Sequence, residues 1–265
     1  MFYITILYVG IDFRSIYIYN NNTRVNYLDF NENKDIKINL DDFKVMFKHE
    51  LSYIIEYFDF NLQKLEERKK ELDNFLELDI QENPTLEYGL RGMYHLDYLK
   101  IPSYFYHSSI VTLYSLLENN LSFLCIKIQA DTNLVIGLND LTGHNLLEKA
   151  RSFLVKVANI DFENVDKEWI RISDFQKLRN LIVHNNSQIK DRDSFEKLLK
   201  KFNGIKTYEL QNDFHIIDIK LIREFLSVIE NFINKIILQI EERTFKQFRP
   251  ASFQNSFYCE DDFPF

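Results

Sequence analysis

The chain alternates long stretches of helical hydrophobic spacing with short stretches of strand character. From Asp41 to about residue 78, Phe43, Phe47, Leu51, Ile54, Ile55, Phe58, Leu62 and Leu65 recur close to every three or four positions. That spacing lines one face of an α-helix. Asp41 and Asp42 stand in its first turn, where the helix dipole favours carboxylates. Residues 64–71 are mixed in charge and read as a solvated face. Asn83-Pro84 and the stretch from Gly89 to Pro102 predict a connection. A strongly apolar helix is expected from residue 103 to about 130, a break from 131 to 143, and a second helix over 144–159. Asp166 begins a third, to about residue 185, with Trp169, Ile172, Phe175, Leu178 and Ile182 on one stripe. A short helix over 194–202 stops at Asn203-Gly204. Residues 205–216 are β-like and predict a small hairpin around Gln211-Asn212-Asp213, followed by a long helix over 218–243.

The two ends read differently. Residues 2–30 are dense in Tyr, Ile, Phe and Val, and Asn20-Asn21-Asn22 splits them into two runs, as in a β-hairpin or short sheet. Residues 245–265 carry Pro250, Pro264, five phenylalanines from Phe248 to Phe265 and the acidic triplet Glu260-Asp261-Asp262. This tail reads as a strap on its own domain or as a docking segment with aromatic anchors. The expected fold is therefore mainly α: a helical bundle over 103–245, with an N-terminal extension over 1–100 made of a β-hairpin and a long helix. A small β-hairpin insert precedes the last helix, and the Phe-rich acidic tail spans 246–265.

Composition narrows the class. In 265 residues there are 6 Gly and 4 Pro, which disfavours a turn-rich all-β fold. Hydrophobic residues make up 46%, enough for a substantial core. The formal net charge is −8, against the basic balance usual in a protein that binds nucleic acid non-specifically. Any RNA contact must then be local, or made by a surface that two subunits share. Cys125 and Cys259 are far apart and have no metal-like spacing, so neither a disulfide framework nor a zinc site is expected. Residues 1–11 are apolar but lack a basic leader and a small-residue cleavage site, and are too short to span a bilayer. A cytoplasmic location without membrane attachment is expected.

The candidate chemistry lies in the run from Leu178 to Asn186, where Arg179, Asn180 and His184 interrupt an apolar helix. Polar groups on such a helix cost free energy if buried without partners. Arg supplies a permanent positive fork that matches a phosphate, and His moves a proton near neutral pH. The five-residue offset sets Arg179 and His184 roughly 140° apart on an ideal helix, whereas Asn180 and His184 share a face. The competing reading pairs Arg179 with Glu118 or Asp174 and makes His184 a satisfied helix-end residue. Glu118, alone on an apolar helix, either forms an ion pair with Arg151 or Arg179 or orients Arg179 in a cleft. Asn119 and Asn120 are expected on the same surface.

Arg179-Asn180, three further residues and His184 resemble the signature of the HEPN superfamily. The Leu-rich, Glu-bearing segment from Ser115 to Leu121 resembles that family's earlier helix. The resemblance covers roughly residues 103–245 and leaves the first hundred unexplained. It implies a small helical bundle, a homodimer in which two motifs form one cleft, and metal-independent RNA cleavage with no cofactor. Arg179, Asn180 and His184 would be catalytic and Glu118 supporting. It further implies a setting of microbial defence, abortive infection or toxin–antitoxin control, with RNA (tRNA among the candidates) as substrate and an antitoxin or defence-complex partner. Some HEPN toxins carry, two residues past the His, a Tyr that a partner enzyme modifies; Asn186 stands there in this chain, so that control is not expected. The alternative is a non-catalytic scaffold, or a nucleotide sensor at Arg179. His49, His95, His107, His144 and His215 are read as structural, and no glycine-rich phosphate loop or His-Glu-x-x-His pair is present.

Overall fold

Two long helices set the dimensions of the fold. The computed structural model describes residues 34–185, 187–189, 191–208 and 213–247. Helix α1 (Asp41–Glu82) has 42 residues and α2 (Glu87–Thr132) has 46, so they are about 63 and 69 Å long at 1.5 Å per residue. The chain reverses between them in a single 3-10 turn over Pro84–Leu86. The connection expected from Gly89 to Pro102 is instead helical, and Pro102 lies inside α2. Proline removes one backbone hydrogen bond, but the turns before it are held from outside. Tyr94 and Tyr98 donate their hydroxyls to Asp79 and Asp73 of α1, each at 2.7 Å. Leu72 and Leu76 are buried in the same part of the helical pair.

Short helices complete the bundle. Asn145 caps α3 (Leu146–Lys156): its side chain accepts from the Glu148 N–H, and Glu148 reaches back to the His144 N–H. The helix expected from residue 144 therefore begins after that cap. Helix α4 is Asp166–Asn185, as its stripe predicts, and α5 is Arg192–Leu199. Strands β2 (Ile205–Tyr208) and β3 (Asp213–Ile216) pair antiparallel and lead to α6 (Ile219–Glu242). Gly204, at φ 84°, sits where a Cβ would come within 2.7 Å of the Asp218 side chain, so this turn requires glycine. Strand β1 (Lys34–Ile36) pairs antiparallel with β4 (Phe245–Gln247). The hairpin expected in residues 2–30, the turn at 209–212, Cys259 and the tail beyond Gln247 lie outside the described residues.

One buried cluster joins these elements. It takes Phe43, Phe47, Leu51 and Phe58 from α1, while Ile55, expected on the same stripe, is 45% exposed. Phe175 of α4 stacks on Phe225 of α6 with centroids 4.1 Å apart. Arg171 lies over Phe202 and donates to Glu224 at 2.6 Å, tying α4 to α6 at the surface. Among the described residues one helix, residues 84–132, is long and apolar enough to cross a membrane, and 56% of its most apolar window is buried in the fold, as a bundle's central helix is. Cys125 is buried on it, and burial pushes its thiol well above the usual range.

Candidate functional site

Helix α4 carries three of the four candidate residues because its buried stripe of Ile172, Phe175 and Leu178 fixes its rotation. Arg179 follows Leu178 at the edge of that stripe and is half-buried, whereas Asn180 and His184 are exposed. The Arg179 guanidinium lies over the Tyr114 ring of α2, with Cζ 5.1 Å from the centroid. This is a cation–π contact. Arg179 Nη1 also donates to Asn180 Oδ1 at 3.1 Å. Its Nε–H is shielded from solvent and meets no acceptor among the described residues.

Tyr114 and Glu118 are one turn apart on α2 and face this guanidinium together. Burial raises the Tyr114 phenol to about 12, helped by the Glu118 charge; a hydrogen bond with Gln176 and the Arg179 charge act the other way. Burial likewise holds the Glu118 carboxyl above its ordinary value, and the Arg179 charge partly offsets this. Glu118 thus feels Arg179 through space rather than as half of a contact ion pair. Of the two carboxylates expected to pair with Arg179, Asp174 is engaged elsewhere: it is buried and accepts from Lys201 at 2.7 Å. Arg151, expected as a partner of Glu118, is held on the aromatic rings of Phe162 and Trp169.

Asn120 is not part of this surface. It is buried and turned toward α1, where its side chain donates to Glu50 at 3.2 Å and to the Leu116 carbonyl at 2.8 Å. Asn119 is exposed.

His184 stands in the last turn of α4, where the helix dipole favours a cation. The structure therefore brings Arg179, Asn180 and Glu118 into one neighbourhood around Tyr114. It places His184 a turn further on, exposed, without a hydrogen bond or ring contact among the described residues. That separation is what the five-residue offset implies within one chain.

Two contributors are not evident from the motif. Tyr114 is the platform for Arg179, and its spacing of four from Glu118 on an apolar helix is a signal that could have found it. His107 is the other. It is read as structural from sequence, and the structure buries it just behind the end of α4: Ser103 Oγ is 3.3 Å from its Nε2 and Ser187 Oγ is 3.0 Å from its Nδ1. Comparison with protein families, with curated proteins and with solved structures finds no match.

Proposed function

We propose that this chain is a metal-independent endoribonuclease of the HEPN type, acting in microbial defence, abortive infection or a toxin–antitoxin system. The observation that carries the reading is an exposed His184 one turn beyond an arginine–asparagine pair whose guanidinium is held on the Tyr114 ring. A proton-transfer group must reach substrate, and a phosphate-binding cation acts best when its position is fixed in advance.

In the proposed reaction the 2′-hydroxyl of RNA attacks the adjacent phosphorus. The new O2′–P bond forms as the P–O5′ bond breaks. His184 takes the proton from the 2′-oxygen or gives one to the departing 5′-oxygen, and two copies in a homodimer divide these roles. Arg179 balances charge on the phosphoryl oxygens, Asn180 hydrogen-bonds the phosphate, and Glu118 orients Arg179. The products are a 2′,3′-cyclic phosphate and a 5′-hydroxyl. The nucleophile belongs to the substrate, so the step needs no metal.

The test is induced expression of wild type beside His184→Ala, with total RNA resolved for discrete cuts and the purified protein assayed in EDTA. Growth arrest and cyclic-phosphate ends from wild type only are the expected result. Cutting that depends strictly on an added divalent ion removes the metal-free scheme, and equal toxicity from both chains removes His184.

The second reading is a non-catalytic scaffold of a defence complex. The net charge of −8 favours it. So does the engagement of Arg179 with its own chain. Folded protein that neither binds nor cuts RNA selects this reading.

A further inference from the structure

No side chain among the described residues holds the His184 ring, so its place is set by its backbone. The backbone just after it is fixed at Ser187, which adopts the left-handed conformation at φ 61°. That conformation disfavours any residue with a Cβ and persists only where surroundings impose it. Every polar group of Ser187 is used. Its N–H donates to the Leu181 carbonyl inside α4 at 3.1 Å, and its carbonyl accepts from the Phe214 N–H of β3 at 3.2 Å. Its hydroxyl meets Nδ1 of His107 at 3.0 Å. His107 is itself locked, with Ser103 on its other nitrogen and the Phe214 ring 5.3 Å away.

We propose that His107 is a positioning residue for His184. Through Ser187 it pins the end of α4 to α2 and β3, and so fixes where His184 meets its substrate. The proposal rests on the ribonuclease reading for its consequence in catalysis, but the mechanical link can be measured without it. A buried imidazole suits the task because it offers a rigid ring with a polar atom on each side, and both hydroxyls can donate or accept as its tautomer requires. Phenylalanine would fill the same space with neither nitrogen. Asparagine would present an amide near the position of Nδ1 and could keep the Ser187 bond.

The test uses the full chain and His107→Phe, His107→Asn and Ser187→Ala. Alanine keeps the Cβ of serine, so Ser187→Ala removes the hydroxyl without a new backbone cost, and it reports the same bond should His107→Phe fail to fold. The signal of the His184 ring is followed by NMR, assigned among the six histidines by its loss in His184→Ala. Amide exchange at the end of α4 is measured beside it. His107→Phe and Ser187→Ala are expected to shift the His184 signal and to speed exchange there about tenfold. Single-turnover RNA cleavage falls about tenfold with little change in RNA binding. His107→Asn restores both. A folded His107→Phe or Ser187→Ala chain with an unmoved His184 signal and unchanged exchange overturns the proposal. Moved signals in a protein whose wild type never cuts RNA uphold the link and overturn the ribonuclease reading alone.

Discussion

The guanidinium of Arg179 stands over the ring of Tyr114, with Cζ 5.1 Å from the centroid, so the fixed charge of the candidate site belongs to two helices. Such a contact contributes about 0.5–2 kcal/mol, depending on how dry it is. It also restricts a long side chain that would otherwise sample many rotamers.

Exchanging the ring is the direct check. Tyr114→Phe keeps the face under Arg179 and loses the hydrogen bond with Gln176, so its effect on stability is expected to be about 1 kcal/mol. Tyr114→Leu removes the face. On the proposed ribonuclease reading, single-turnover RNA cleavage is expected to fall about tenfold for Leu and to hold within about threefold for Phe. Equal loss in both variants assigns the effect to the hydroxyl.

Burial, helped by the neighbouring His215, lowers His107 from its ordinary 6.5 to about 4. His215 in turn lies 3.5 Å from Asp213. A depressed folded value means the unfolded chain binds the proton first. The stability contributed by neutral His107 is therefore complete above about pH 6.5 and is lost as the pH falls toward 4. The loss is on the order of 3 kcal/mol. Urea denaturation from pH 7.5 to 4.5 measures it, and His107→Phe is expected to flatten that part of the curve. An unchanged slope in a folded variant assigns the acid sensitivity to other groups.

Pro102 sits in the interior of α2 and cannot donate a backbone hydrogen bond there. Pro102→Ala is expected to raise the thermal midpoint by several degrees, corresponding to a gain of about 1–3 kcal/mol. A lower midpoint would mean that proline at this position supports the packing of α2 in a way alanine does not.

Phe175 and Phe225 stack at 4.1 Å, fully buried at the centre of the contact between α4 and α6. Phe175→Ala is expected to cost about 3–5 kcal/mol in chemical denaturation. Because α4 carries Arg179 and His184, the RNA cleavage proposed above is expected to fall in the same variant in proportion to the folded fraction.

The mainly helical class and most of the helices were legible in residue spacing alone. The stripe of Ile172, Phe175 and Leu178 marks α4, and the scarcity of Gly and Pro excludes a turn-rich alternative. Local order of this kind follows from periodicity, because a helix in water must bury one face. The helical path through Pro102 was not legible. A proline is a local signal to stop, and it was overruled by Tyr94 and Tyr98 meeting Asp79 and Asp73 across the helical pair. The same division holds at the site. Spacing alone set Arg179 apart from His184 on the helix and put Asn180 beside it. That Arg179 rests on Tyr114 rather than on Glu118 or Asp174, and that His107 reaches Ser187 across 80 residues, depends on how α2 and β3 pack against α4. Contacts between residues distant in sequence are fixed by that packing, and no pattern confined to one helix contains them.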